Sequence, residues 1–277
     1  MKLSKHINNS LFILIIVFGL LGAHYISSQS ERPALFVRKQ DSSVNIEENF
    51  FRFFHFGQKR LISSIIWIAT ILESDHDHYK GKDLNSWMFL RFNTISNLEP
   101  QFYENYAFGG PYLSIIKDDL KGASIIYNKG LEQYPEDFYL LKNAAFHFHF
   151  EIEDYQRSRE IHQRLLHHKM TNPILYSSLA RIESEMGNLE VAFAILLSNY
   201  KDLLEKNQKP LANKTWDNLY SIRAEIDLEC LNKGLRKLCR LKDLNNEAYI
   251  KNSHNQYIAP KAWAPFRIKK YKHSPDQ

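Results

Sequence analysis

The sequence predicts an all-α protein, an α-solenoid of repeated helix pairs behind an N-terminal membrane-anchoring helix. Three observations lead to this fold class. From residue 50 to about residue 244 apolar residues recur at helical spacing, and no long stretch alternates as a half-buried strand would. Related turn signals return every 34 or 35 residues between residues 102 and 199. A charged N-terminus precedes 13 uninterrupted apolar or small residues, Leu11 to Ala23.

The composition is that of a folded chain. Of 277 residues, 44% are hydrophobic and 24% are charged, which excludes a disordered protein. A mean hydropathy of −0.41 excludes a polytopic membrane protein. The two cysteines, Cys230 and Cys239, are too few for a disulfide scaffold or a four-cysteine zinc module. On one straight helix they would lie about 13.5 Å apart on opposite faces, so we expect no bond between them unless the helix bends at Gly234.

The first 27 residues are interpreted as a membrane anchor or signal segment, and residues 28–49 as a linker. A cleaved signal peptide is the alternative, but Leu21 and Ile26 stand where cleavage after Ala23 or Ser28 would require a small residue. Basic residues flank the apolar run almost equally. A short charged region before a single apolar run favours the N-terminus inside. The soluble part is then expected to be periplasmic or otherwise extracytoplasmic.

Two helices are predicted before the repeats. The apolar stretch Leu61 to Leu72 is too short to span a bilayer, so we expect a buried helix there. A second helix is predicted from Asp83 to Leu98, with the Asp83 carboxylate at its N-terminus and Pro100 after its end.

Small and short polar residues recur at fixed positions in the repeated segment, for a physical reason. A small residue late in one helix and another early in the next let the two backbones approach closely. A short polar residue between the helices can cap the second one. The recurring positions are Gly110, Asp119, Leu120, Ala123, Tyr127 and Gly130 in the first unit, Ala145, Asp154, Tyr155, Ser158, His162 and Leu165 in the second, and Leu179, Asn188, Leu189, Ala192, Leu196 and Asn199 in the third.

This pattern resembles the tetratricopeptide repeat (TPR) family, whose 34-residue unit is a pair of antiparallel helices. The third unit fits best, with Ala180 and Ala192 separated by 12 residues. In the first two units the corresponding separation is 13, one more than in the family. The anchor and the segments around Trp67 and Pro100 also resemble single-span, membrane-anchored bacterial TPR proteins. The resemblance implies a helical-repeat domain over residues 50–244, with the clearest repeats at 102–199 and the stripe Trp216 to Leu244 as a cap.

The charge of +5 is unevenly distributed along the chain. Residues 233–277 hold 11 Lys and Arg against three Asp and Glu, whereas the first 232 residues hold 25 against 28. The last part, residues 245–277, is therefore predicted to be a basic, irregular C-terminal segment. Asn255 to Ile258 could form half of a hairpin.

The resemblance implies a partner-binding groove on the concave face of the solenoid. Its aromatic and charged positions suit an extended peptide or a helix. The expected function is that of a membrane-tethered scaffold or adaptor in a cell-envelope complex, without enzymatic activity, cofactor, small-molecule substrate or nucleic acid. The groove residues transferred from the family pattern are Tyr139, Lys142, Phe146, His149 and Phe150 in the second unit and Arg181 and Glu185 in the third.

Two alternatives stay open. The basic C-terminal segment could bind anionic lipid or nucleic acid. A metal-dependent enzyme could use Asp75 to His78, although adjacent loop residues usually supply only two of the three or four ligands that a site needs. We find no nucleophile elbow and no glycine-rich phosphate loop in the sequence.

Overall fold

The computed structural model describes residues 17–22, 25, 40, 48–81, 83–234 and 238–266. The chain divides into two units, residues 1–43 and 44–277. The predicted anchor and linker lie mostly outside the described residues. Within the anchor, the described residues 17–22 are helical. No helix among the described residues is both long and apolar enough to cross a bilayer.

Most described residues of the unit 44–277 are helical, which confirms the all-α prediction. The unit also contains two π-helical turns, each continuing an α-helix, and one two-stranded antiparallel sheet that pairs Ile250 with Ile258. The elements are α1 (Glu48–Phe53), α2 (Lys59–Leu72), α3 (Trp87–Leu98), α4 (Tyr103–Pro111), π1 (Tyr112–Ile116), α5 (Leu120–Gln133), α6 (Phe138–Phe146), π2 (His147–Glu151), α7 (Tyr155–His167), α8 (Pro173–Glu185), α9 (Leu189–Glu205), α10 (Lys209–Lys233), β1 (Ile250–Lys251) and β2 (Tyr257–Ile258).

Helices that follow one another along the chain pack against one another. The most extensive contacts join α4 to α5, α6 to α7, and each of α7, α8 and α9 to the next helix. The apolar core forms two clusters. The larger one extends from α3 to α8 around Trp87 and Phe92, and the smaller one joins α8, α9 and α10 around Ala192 and Leu219.

Three helices begin directly after the polar residues that the sequence predicted to start them. Asp119 and Asp154 each accept a hydrogen bond from a backbone N–H in the first turn, at 3.0 and 2.9 Å. Such a bond satisfies one of the free donors at the start of a helix. Asn188 precedes α9 but donates its amide to the Glu183 carboxylate at 2.8 Å. The residue before each of the three has a left-handed backbone, with φ of 55°, 58° and 85° at positions 118, 153 and 187.

Two predictions about the early helices need correction. α3 begins after Ser86, whose hydroxyl accepts from the Phe89 N–H at 3.2 Å, and not at Asp83. The Asp83 carboxylate instead accepts from the Tyr79 phenol and the Asn85 amide. α2 exists as predicted but is not buried on all sides, because it presents one row of aliphatic side chains outward. Apolar periodicity identifies a helix face but not what covers it.

The C-terminal part is more ordered than predicted. α10 ends at Lys233, and Gly234 after it has a left-handed backbone, φ 64°. The Cα atoms of Cys230 and Cys239 lie 5.7 Å apart, and the two form a disulfide. The expectation of no bond along a straight helix was therefore wrong, because the helix ends before Cys239. The predicted half-hairpin at 255–258 is present as β2.

Polar contacts hold this segment against α10. The Tyr220 phenol donates to Asp243 at 2.8 Å, and the Tyr249 phenol donates to Asp227 at 3.0 Å. Both carboxylates are buried, and Arg223 pairs with Asp227 at 2.7 Å. The segment described as irregular from sequence is thus docked on the helix up to residue 266, and residues 267–277 lie outside the described part.

Candidate partner-binding groove

The groove residues predicted in the second repeat unit lie along α6 and π2. The Asp137 carboxylate caps α6 by accepting from the Leu140 N–H at 2.7 Å. From this start, helical geometry leaves Lys142 and Phe146 exposed on the same side. The π-helical turn that follows contains His149, which is buried, and Phe150, which is exposed.

Two adjoining cavities, of about 310 and 350 Å³, form a groove at these residues. They share four lining residues, so they are parts of one surface. The first cavity, of about 350 Å³, extends toward α6 and α7. The second cavity, of about 310 Å³, extends toward α10. The shared residues are His149, Phe150, Ile174 and Ser178; Lys142, Phe146, His162 and Asn172 line only the first, and Ser177, Arg181, Lys214, Asn218 and Phe266 line only the second.

Aromatic rings in mutual contact form the centre of the groove. The Phe150 ring centroid lies 4.7 Å from that of Phe146 and 4.1 Å from that of His149, and His149 also meets Tyr155 edge-on at 5.8 Å. Rings at these separations attract one another beyond the area that they bury. The aromatic floor is therefore preformed.

The second cavity ends at a basic rim. The Arg181 guanidinium lies 5.1 Å from the ring centroid of Phe266, which comes from the C-terminal segment and is buried there. Lys214 of α10 contributes a second cation. Among the described residues that line either cavity, none carries a carboxylate. The groove is therefore apolar and positively charged.

Five of the seven predicted residues come together in this groove, namely Lys142, Phe146, His149, Phe150 and Arg181. Tyr139 and Glu185 line neither cavity. Tyr139 is exposed and meets Phe138 edge-on at 5.8 Å, and Glu185 is half-buried. The helix-pair pattern could not reveal Lys214 and Phe266, because they reach the groove from the cap and the C-terminal segment.

Behind the groove, His147 is buried between two hydroxyl groups. Its Nδ1 lies 2.8 Å from Ser114 Oγ, and its Nε2 lies 2.8 Å from Ser124 Oγ. Loss of solvation lowers the pKa of His147 to about 4. His147 is therefore a neutral core residue that joins π1, α5 and π2.

The Asp75 to His78 segment lies in the connection between α2 and α3. Asp75 forms an ion pair with the buried Lys117, whereas His76 and His78 are exposed. Within the described ranges, no three or more His, Cys, Asp or Glu side chains are grouped so that they could hold a metal ion.

Comparison of the chain with protein-family models gives no match, and comparison with curated proteins gives none either.

Proposed function

We propose that this protein is a membrane-tethered TPR scaffold that binds a segment of a partner protein in the groove between π2, α8 and α10. The observation that carries the proposal is the lining of that groove, where contacting aromatic rings lie next to three basic side chains and no described carboxylate. Such a surface suits an extended peptide or a helix that carries apolar anchors and acidic groups.

The two π-helical turns support the TPR assignment. π1 and π2 begin at Tyr112 and His147, 35 residues apart, each near the end of the first helix of a unit. A π-helical turn holds one residue more than an α-helical turn. One inserted residue accounts for the separation of 13 between the small residues in these two units, against 12 in the third, where α8 has no such turn.

Close contacts between the small residues give further support. The Ser158 hydroxyl donates to the Ala145 carbonyl oxygen at 3.0 Å, which joins the two small positions of the second unit. In the third unit Ala180 and Ala192 are both completely buried in the same cluster. In each pair, a larger side chain would push the two helices apart.

The disulfide supports the extracytoplasmic location. Structural disulfides persist in oxidising compartments and are rare in the cytoplasm. The bond between Cys230 and Cys239 therefore favours a soluble domain that faces the periplasm or an equivalent space.

The experiment is a pull-down of the full chain from solubilised membranes with quantitative mass spectrometry. The double variant Phe146→Ala, Arg181→Glu removes one ring and reverses one charge of the groove. We expect it to lose the partner that the natural chain recovers, with little change in melting temperature because neither side chain is fully buried.

A matched control shortens one exposed apolar side chain and reverses one charge on α9, by Val191→Ala and Lys201→Glu. This control should recover the partner like the natural chain. Unchanged partner recovery by a folded groove variant would contradict the proposal.

A further inference from the structure

The outward side of α2 is exposed to solvent, although its side chains are apolar. Its inward side packs Ile66, Trp67 and Ile71 against the core. The same side includes two completely buried hydroxyl residues, Ser63 and Thr70. Its outward side is a row of aliphatic residues at positions i, i+4, i+7 and i+11. Their exposed fractions are 56% for Leu61, 57% for Ile65, 52% for Ile68 and 80% for Leu72. The outward side of a helix in water is ordinarily polar.

Three more exposed apolar residues, Phe50, Phe54 and Phe56, precede α2 in the chain. The rings of Phe50 and Phe54 stack at 5.0 Å, and Phe56 lies 6.4 Å from Phe54. All three are more than half exposed. Both α1 and α2 pack on α3, so one support holds the ring cluster and the aliphatic row. Exposed apolar side chains grouped in this way mark an interaction site.

The charges around this surface indicate what covers it. Residues 50 to 72 contain three basic residues and no acidic residue. Arg60 is exposed in the first turn of α2, which has no acidic side chain, and lies beside the aliphatic row. Lys59 is also exposed, but it lies on the opposite side of the helix and lines a cavity with Glu132. Cations at a helix N-terminus are disfavoured by the helix dipole, and an anionic surface would offset that repulsion.

We infer that the outward side of α2, together with Phe50, Phe54 and Phe56, lies on an anionic lipid bilayer. Apolar side chains that enter the headgroup boundary next to basic residues are the combination by which interfacial helices bind. The inference goes beyond the groove. It rests on the proposed membrane tether only for the nearness of a bilayer, because the apolar run Leu11 to Ala23 precedes α1 by about 25 residues.

The test uses the full chain in vesicles of phosphatidylcholine and phosphatidylglycerol. The photoreactive residue p-benzoylphenylalanine replaces Ile65 or Ile68, or Leu204 of α9 as a control of similar exposure. After irradiation, mass spectrometry identifies the adducts. We expect phospholipid adducts at 65 and 68 at several times the yield at 204.

The variant Arg60→Gln tests the charge, with Lys59→Gln on the opposite side of the helix as its control. Each basic side chain near an anionic surface strengthens binding by roughly fivefold. Adduct yield at 65 should therefore fall severalfold in Arg60→Gln, and only in vesicles that contain phosphatidylglycerol.

Other outcomes overturn the inference. They are a crosslink to a second copy, a crosslink within the chain, or a yield no higher than at 204. If the chain sediments with vesicles but gives no lipid adduct, the tether stands and this inference fails. If it does not sediment, both fail. Partner recovery through the groove is measured separately, so its loss is distinguishable from either result.

Discussion

At Gly110 the missing side chain determines how closely α4 and α5 approach. A methyl group there would lie 2.6 to 2.9 Å from three ring atoms of Tyr127. Real carbon atoms do not approach so closely, and the buried Tyr127 ring has no free space to move into. The repeat position that the sequence predicted to be small is therefore small for a measurable steric reason.

We expect Gly110→Ala to lower the free energy of unfolding by about 1–3 kcal/mol through overpacking. Urea denaturation of the purified chain measures the change. The double variant Gly110→Ala, Tyr127→Leu relieves the clash, so it should lose less than the sum of the two single variants. Strict additivity would mean that the two residues do not contact.

Burial of His147 predicts a loss of stability at low pH. Its folded pKa of about 4 lies below the ordinary value of 6.5. Between these two values the unfolded chain binds a proton that the folded chain does not. The contribution of His147 to stability is therefore complete above about pH 6.5 and declines as pH falls toward 4, by about 3 kcal/mol in all.

Unfolding free energies at neutral pH and at about pH 5 test this expectation. His147→Gln should reduce the difference between the two conditions, whatever its own cost in stability. Burial also lowers the pKa of His162, so part of the difference should remain. The exposed His254→Gln serves as the control and should keep the whole difference. An equal loss in natural chain and His147→Gln would contradict the assignment.

Among the elements, those that follow from local chemistry were predictable. Asp119 and Asp154 start helices because a short carboxylate satisfies free N–H groups, and this signal is readable in sequence. π1 and π2 have no such signal, because one extra residue within a helix alters no local pattern except the repeat spacing. In the sequence, the separation of 13 between the small residues is the only trace of these turns.

The groove was predictable only for residues on the helix pairs that the sequence predicts. Phe146, His149, Phe150 and Arg181 follow from their register relative to Ala145 and Ala180. Phe266 does not, because its place depends on the end of α10 at Lys233 and on contacts between distant residues. The same helix end explains the disulfide, which a straight helix would exclude.

The disulfide is expected to stabilise the C-terminal docking on α10. Closing a loop of nine residues corresponds to about 2–3 kcal/mol of lost entropy in the unfolded chain. The variant Cys230→Ala, Cys239→Ala should therefore unfold at a lower temperature than the natural chain. Adding reductant should lower the melting temperature of the natural chain and leave that of the variant unchanged. Equal melting temperatures throughout would show that polar contacts such as Tyr249 to Asp227 suffice.

For the whole molecule, the charge distribution and the disulfide bear on different questions. The net charge of +5 combines a body of −3 and a C-terminal part of +8, so the mean says little about either. The tail beyond residue 266 lies outside the described part, and its basic charge stays unassigned. The disulfide, in contrast, depends on the compartment.

That dependence gives a prediction for the protein in expressing cells. If the soluble part lies outside the cytoplasm, Cys230 and Cys239 should resist a mass-tagged maleimide until a reductant is added. A chain that lacks residues 1–27 should stay in the cytoplasm and react without reductant. Reaction of the natural chain without reductant would place the soluble part in a reducing compartment. A reporter active on only one side of the membrane, fused after residue 45, gives an independent readout because it does not depend on the cysteines. Agreement of the two readouts on the outer side would leave the groove facing partners of the cell envelope, which is the space the proposed scaffold requires.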